Sequence, residues 1–591
     1  MQKKEVSAGG MGQAFIRGGK SCFALVYGFD KKYIFYVCLI KLIQGVVPAI
    51  SIVIVQSTIN MIQNKIHTLR EILIYVVLYG ILNIINAIIE AINAYYNAQF
   101  SLRFCKYVDL KIIRKATKLK LKDYEDSETY NKINRAQNQN GTSIMSYIEG
   151  LLNISREVVA IVSLTSILLH FRWWLIIFVI IIPVIRCVLT AALDKEWYHM
   201  RFQRTGDERK SWYINFLLMT GNAFKEIKVT GIARYLLDKY EKVKDNIIKE
   251  DIKMHRKSLR LTLVLDFLDG LINGFIFGYT VFLGFERRIL IGDVTAYTNC
   301  VGSIQNSVQN IFMGIEGLAE QALYVNLLFE YLNLQTEKKH GRYIISTIDK
   351  IEFKNVFFKY KDTYVLNNIN FIIYKNSKTA FVGKNGSGKT TILKLILGLY
   401  NDYEGEILIN GINLKSLNIV EYQKKIGCVF QDFLKYEMSI KENICLGDID
   451  KEISNDQIWE VLDKVQLGNK VRLLDGIETI VGNWFGEQQL SIGEWQRIAI
   501  ARALVREAKL YIMDEPDASL DIMGQKKLLT LYKKVMQNNM GIYISHKVNF
   551  VHLLVDKIYV LEQGSIVEEG GHEELIKKKG LYFKLYRQCQ I

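Results

Sequence analysis

The sequence predicts a multidomain chain in which an all-α membrane domain with six spanning helices, residues 1–335, is followed by an α/β phosphate-loop domain, residues 345–591. Three observations predict it. Six apolar stretches of about twenty residues fall within the first 332 positions, each long enough as a helix to cross a hydrocarbon core of about 30 Å. Beyond Leu332 the pattern changes to short apolar runs, Thr379 to Val382, Ile407 to Asn410 and Leu510 to Met513, separated by Gly, Asn and Asp and alternating with helical segments. The first of these runs opens directly into Gly383-Lys384-Asn385-Gly386-Ser387-Gly388-Lys389-Thr390, a phosphate loop with the strand before it and the helix after it that such a loop requires.

The spans lie near Tyr33 to Val55, Ile72 to Tyr95, Leu151 to His170, Trp173 to Leu193, Leu261 to Phe285 and Thr295 to Asn310, the last continuing as helix towards Leu332. Pro48 and Pro183 fall inside spans, where a membrane helix tolerates a kink because its neighbours satisfy the freed backbone groups. The sixth span carries Asn299, Ser303, Gln305, Asn306, Ser307, Gln309 and Asn310. Lipid is a costly surrounding for so many amides, so they either line a central path or hydrogen-bond to neighbouring helices. Asp266 and Asp269 in the fifth span pose the same choice with charge added: they face water, or the span begins later than drawn.

Half of the 591 residues are hydrophobic and 23% are charged, yet Lys and Arg number 76 against 60 Asp and Glu. The surplus of +16 lies between apolar spans, which suits basic cytoplasmic loops, and the six spans disfavour a soluble nucleic-acid ATPase. Connections at 64–70, 171–172 and 286–292 are short, whereas the second-to-third and fourth-to-fifth exceed fifty residues. Between Ser101 and Lys122 stand eight Lys and Arg against Asp109 alone. By the positive-inside tendency the long connections and both termini are cytoplasmic. Lacking Pro and most Gly, these connections read as helical extensions with turns at Tyr124 to Ala136 and Ser211 to Ile232, expected to dock beside Gln431. The eight cysteines form no C-x-x-C pair, so neither a zinc site nor a disulfide framework is indicated. No cleavable signal precedes the first span.

In the phosphate loop, glycines turn backbone N–H groups inward, the following helix offers its positive N-terminus, Lys389 neutralises phosphate charge and the Thr390 hydroxyl can ligate Mg²⁺. Thr391 follows it in the same helix start. Downstream, the strand Leu510 to Met513 delivers Asp514 and Glu515, adjacent carboxylates suited to divided work: Asp514 on Mg²⁺, Glu515 as general base for water.

Between these motifs lies LSIGEWQRIAIARAL, Leu490 to Leu504, which resembles the signature helix of ATP-binding cassette transporters. The resemblance covers the whole chain, since six spans followed by one cassette is the arrangement of an exporter half-transporter of that family. It implies that Tyr360 stacks on adenine, Gln431 senses Mg²⁺ and the membrane domain, and His546 contacts the γ-phosphate. Ser519-Leu520-Asp521 falls in the remaining motif position. Two cassettes would pair head to tail, with Ser491 and Gly493 of one chain closing the ATP held by the other. The signature departs from the family's LSGGQ at Ile492 and Glu494, which puts turnover rather than the phosphate contact in question. Gly482-Asn483-Trp484-Phe485, together with the G-x-WQ of the signature, is similar to bacterial lanthipeptide and related bacteriocin exporters, although an aromatic pair there also suits packing against the cassette's helices. About thirty residues precede Tyr33, too few for the cysteine protease domain of exporters that cut leader peptides, so Cys22 reads as structural.

The resemblance implies an ATPase, ATP plus water to ADP plus phosphate, coupled to alternating access in a bacterial plasma membrane. Expected ligands are ATP and Mg²⁺. Expected partners are a second half-transporter, most simply a second copy, the lipid bilayer, and a transported substrate, with a peptide favoured over a lipid or drug. An ATP-gated channel or a regulator is the reading from another class; intact Glu515 and His546 favour continuous turnover.

Overall fold

The computed structural model describes residues 8–64, 67–126, 129, 133, 141–171, 173–336, 341–486, 488–515, 522–546, 548 and 551–588. The chain divides into two compact units, one of residues 1–118 and 127–335, the other of residues 119–126 and 336–591.

The first unit is helical. Helix α1 (Ala8–Phe29) precedes the first predicted span, a helix that the sequence reading left unassigned. The six predicted spans then lie within α2 (Lys31–Asn64), α3 (Leu69–Ala116), α5 (Gly141–Phe171), α6 (Trp173–Gln203), α9 (Ala233–Phe285) and α10 (Ile291–Leu332). Helix α4 (Leu121–Glu125) interrupts the first long connection and belongs to the second unit. The second is broken into α7 (Thr205–Met219) and α8 (Gly221–Thr230) by extended backbone at Thr220 and closed by left-handed Gly231. Among the described residues, α2, α3, residues Gly141–Leu169 and α9 are apolar and long enough to cross a membrane, and Val179–Leu193 of α6 is a shorter apolar stretch. Helix α10 falls outside that set because of its amides. Asn299, Asn306, Gln309 and Asn310 are exposed and Ser307 is buried. Pro48 and Pro183 sit inside unbroken helices.

Helix α1 is held by aromatic packing of Phe29 on Phe100, Phe104 and Tyr107 of α3, and Cys22 is fully buried. Among the spans, Leu164, Leu168, Val179, Ile276, Cys300, Val301 and Ile304 form one apolar core. Asp266 and Asp269 have a third solution that the sequence reading missed: Arg186 of α6 reaches both carboxylates at 2.6 Å, so the neighbouring helix supplies the counter-charge.

The second unit is built on two sheets. Strands β1 (Lys350–Tyr360), β2 (Thr363–Tyr374), β4 (Glu404–Ile409) and β5 (Ile412–Asn413) form an antiparallel sheet in the order β2-β1-β4-β5. Strands β3 (Lys378–Gly383), β6 (Ile426–Val429), β7 (Leu510–Asp514), β8 (Met540–Ser545), β9 (Lys557–Glu562) and β10 (Ser565–Gly570) form a sheet in the order β10-β9-β3-β8-β7-β6, parallel except at β10. The three apolar runs predicted as strands are β3, β4 and β7. In the parallel sheet successive side chains go to opposite faces. Phe381, Ile512, Ile542 and Ile544 enter one core, while Val382, Met513, Tyr543 and Val560 enter the other. A strand covered on both faces must be apolar throughout, and β7 and β8 are buried at every position.

Candidate functional site

In an open parallel sheet, polar groups gather beyond the carboxyl ends of the strands, because backbone direction and loops converge there. The register fixes which groups meet. Val382 of β3 pairs with Ser545 of β8, and Asp514 of β7 with Ile544. Val429 of β6 pairs with Met513. The loop after Gly383, the Asp514-Glu515 pair, His546 and Gln431 therefore leave adjacent strands at one edge of the sheet.

The phosphate loop runs from the end of β3 into α11 (Lys389–Ile396). Gly388 caps that helix with φ of 103°, and a Cβ there would stand 2.6 Å from Leu366 Cδ2, so no other residue makes this turn without displacing β2. Gly383, with φ of 155°, meets the Leu561 carbonyl oxygen in the same way at 2.3 Å. Lys384, Asn385, Gly386 and Thr390 are exposed, whereas Ser387, Lys389 and Thr391 are buried. The Lys389 ammonium donates to the carbonyls of Gly383 at 2.9 Å and Lys384 at 3.1 Å. Burial lowers its pKa, against the opposing charges of Glu515 and Asp514. A buried ammonium satisfied by two neutral carbonyls is poised for an anion.

Asp514 is 2% exposed, and its Oδ1 is buried with no hydrogen-bond partner, as is the Ser387 hydroxyl. Burial, then the charge of Glu515, pushes its carboxyl up from 3.8 to about 6, with Lys389 opposing. Glu515 has φ of 44°, in the left-handed region, held there by its N–H donating to the Ile544 carbonyl at 2.9 Å. Its Oε2 accepts from the Gln431 amide at 2.9 Å and stands 3.2 Å from His546 Nδ1. Four of the residues picked from separate motifs, Gln431, Asp514, Glu515 and His546, are thus brought to one place with Lys389. A buried carboxylate with an open oxygen, beside an exposed Thr390 hydroxyl and the Gln431 amide, fits a hard divalent cation by donor type.

Tyr360, the last residue of β1, meets Phe358 and Tyr400 edge to face at 4.9 and 5.6 Å between ring centres and stays half-exposed. Tyr400 was not singled out in the sequence. Its hydroxyl donates to the Glu125 carboxylate of α4, which Lys394 also reaches at 2.7 Å, and Lys361 pairs with Asp126 at 2.9 Å. The expected docking of this turn beside Gln431 is corrected: Glu125 reaches Lys394 and Tyr400, next to Tyr360, because the cations offered to it stand there. The rest of that predicted turn, 127–128, 130–132 and 134–136, lies outside the described residues, as does Ser519-Leu520-Asp521.

Ser491 caps helix α12 (Ile492–Leu504) and is exposed, with Gly493 half-buried behind it. Glu494 explains part of its own departure from the family pattern. Its carboxylate accepts from the Ser491 N–H at 2.8 Å and from the Ser491 hydroxyl at 3.0 Å, while its N–H donates back to that hydroxyl. This is a reciprocal cap that stabilises the start of the helix. Ile492 is 53% exposed and contributes nothing to the chain's own core. Trp484 and Phe485 are 83% and 75% exposed, so the alternative of packing against the cassette's helices is not what this pair does.

Comparison with known proteins agrees with this geometry. A family profile described as ABC transporter matches residues 366–518. The chain is 34% identical over 569 residues to the subtilin transport ATP-binding protein SpaT of Bacillus subtilis, covering 95% of this chain and 92% of that protein. The chain belongs to the ABC transporter family. It is also 31% identical over 581 residues to the nisin transport ATP-binding protein NisT of Lactococcus lactis subsp. lactis, covering 96% and 95% of the two chains. Its fold matches the structure of a bacterial Atm1-family ABC exporter with ATP bound, with a TM-score of 0.76 at 19% identity over 94% of this chain and 98% of that one. This ABC transporter is a helical domain with apolar helices followed by an α/β cassette that binds ATP and hydrolyses it in support of transport.

Proposed function

We propose that this ABC transporter is half of a homodimeric exporter that uses ATP to carry a peptide out of the cytoplasm of a bacterial cell. The membrane domain is residues 1–335 and the cassette residues 345–591, with both termini cytoplasmic. Two relatives of nearly full-length match are named for subtilin and nisin transport, and the exposed Trp484-Phe485 before a G-x-WQ signature belongs to the same resemblance.

In this reading Tyr360 stacks on adenine and residues 383 to 391 wrap the phosphates, with Lys389 exchanging two carbonyls for phosphate oxygens. Thr390, Gln431 and Asp514 hold Mg²⁺, which when bound supplies charge neutralisation to the phosphates. Glu515 takes the proton of the attacking water as that water forms a bond to the γ-phosphorus and the bond to the β-phosphate bridging oxygen breaks. Gln431 and His546, already at its Oε2, orient the carboxylate, and His546 turns towards the γ-phosphate. Ser491 and Gly493 of the second copy, with Asp521, complete the site. Closure of the two cassettes opens the cavity outward, and hydrolysis resets it. The exposed amides Asn299, Asn306, Gln309 and Asn310 line the path.

The observation that carries the reading is Glu515 held by Gln431 beside His546 at the strand edge that bears Lys389. The test is secretion: cells making a lanthipeptide precursor export it when they express this chain and retain it with Glu515→Gln. Equal export with both chains would overturn the proposal.

A further inference from the structure

A basic groove lies where the cytoplasmic half of α9 meets α6. Its volume is about 670 Å³, and its lining includes Lys249, Lys253, Arg256, Lys257 and Arg260 against the single acid Glu196. Steps of four, three and four residues keep Lys249, Lys253, Arg256 and Arg260 on one face of the helix over about 17 Å. Asp245 and Glu250 of the same helix are exposed and lie outside the groove's lining, and the other nearby carboxylates are engaged. Glu196 pairs with Lys257, and Asp251 and Glu208 hold Arg204 at 2.6 and 2.9 Å. Among the described residues, Lys249, Lys253, Arg256 and Arg260 have no ion pair, so the groove keeps four uncompensated cations.

The same face then changes character. One turn beyond Arg260 it presents Leu263, Val264, Phe267 and Leu271, exposed by 59, 59, 67 and 56%. Asp266 and Asp269, which interrupt the apolar run, point to the other side of the helix and bind Arg186. A continuous face of free cations followed by exposed hydrocarbon matches an amphiphile with an anionic head and acyl chains. An acidic peptide segment would use the cations and leave the apolar half unexplained.

We propose that this seam is a binding site for an anionic phospholipid, with the headgroup phosphate between Arg256 and Arg260 and the chains along Leu263 to Leu271. Lys253 and Lys249 reach towards it from farther out on their flexible stems. Arginine offers paired donors to phosphate oxygens, and a basic pocket immediately cytoplasmic of a span is where acidic headgroups are held. The inference rests on the reading of the apolar half of α9 as membrane-spanning with its N-terminal half cytoplasmic, and on nothing about the cargo.

The test uses the full-length dimer in nanodiscs of phosphatidylcholine, or of four parts phosphatidylcholine to one part phosphatidylglycerol, with bound phosphatidylglycerol counted by native mass spectrometry. Each basic residue near an anionic headgroup is worth about a fivefold gain in affinity, so Lys253→Gln with Arg256→Gln and Arg260→Gln lowers affinity about a hundredfold. Lys239→Gln with Lys242→Gln, on the same helix far from the span, leaves it unchanged. ATPase activity in pure phosphatidylcholine discs stays at the wild-type level for both variants. If the triple variant loses that activity, the single Arg260→Gln is read instead, with about a fivefold loss expected. Undiminished phosphatidylglycerol binding by the variants overturns the site. So does displacement of nothing by phosphatidylglycerol while a polyglutamate peptide binds the groove and is lost in the variants. Failure of the chain to enter either disc would count against the membrane assignment, and failure to carry a peptide would count against the cargo alone.

Discussion

Replacing Asp514 by asparagine tests the electrostatics of the site most sharply. The carboxyl is 2% exposed with one oxygen unpartnered, and burial followed by the charge of Glu515 raises it from 3.8 to about 6. That gap corresponds to about 3 kcal/mol. Because the folded value is raised, the contribution of this group to stability is fully present below 3.8 and is lost as pH rises through about 6. At pH 7.5 the ligand-free wild type therefore carries a buried charge that Asp514→Asn lacks. The variant is expected to melt roughly 6–12 °C higher there, taking about 2–4 °C per kcal/mol for a unit of this size. At pH 5 about half of the difference remains, and near pH 4 most of it is gone. The assay is thermal unfolding of the full chain in detergent without nucleotide or Mg²⁺. A matching arm follows Mg²⁺-dependent ATP binding, which in the wild type weakens about tenfold per pH unit below 6, since the ligand must be deprotonated. Equal pH dependence of melting in wild type and variant, or a wild type more stable at pH 7.5 than the variant, would refute the reasoning.

Glu515→Gln keeps the hydrogen bond to Gln431 in reach but removes the base, so ATP hydrolysis falls by about 10²–10⁴ while nucleotide binding persists; activity within tenfold of wild type would remove Glu515 from that role. Glu494→Gln preserves the reciprocal cap on Ser491 and deletes a negative charge 3.0 Å from its hydroxyl. Relief of about 1 kcal/mol of repulsion against the phosphate lowers the KM for ATP about fivefold, and a raised KM contradicts this. Tyr400→Phe leaves the ring against Tyr360 and removes the hydroxyl from Glu125. Loss of a hydrogen bond to a charged group, about 1.5–3 kcal/mol, loosens α4 from the cassette. Peptide carried per ATP hydrolysed then falls with ATPase retained, whereas an unchanged ratio would mean that Glu125 takes no part in coupling.

Much of this was legible in the sequence because its signals were local. A phosphate loop between an apolar strand and a helix can take only one form, and apolar stretches of membrane-spanning length had few alternatives to helix. The assembly of Gln431, Asp514, Glu515 and His546 was legible only through motif order, since 115 positions separate the first from the last and the strand register brings them together. What escaped were partnerships of single residues across long separations. Arg186 could not be matched to Asp266 and Asp269 without knowing that α6 and α9 pack side by side. Glu125 looked like one more charge in a turn, and its pairing with Lys394 and Tyr400 moved that turn to the Tyr360 side of the cassette. Helix α1 escaped because its glycines and cysteine weaken the apolar pattern, although Phe29 and Val26 anchor it well.

The central claim, that hydrolysis at Glu515 drives a peptide through the membrane domain, is tested most directly in proteoliposomes reconstituted with this chain alone. With the cassettes outside, a labelled lanthipeptide precursor should accumulate inside only with ATP and Mg²⁺, and the Glu515→Gln protein should bind ATP without accumulating it. Accumulation that proceeds equally with the Gln variant, or robust ATP hydrolysis that never moves the peptide, would contradict the account.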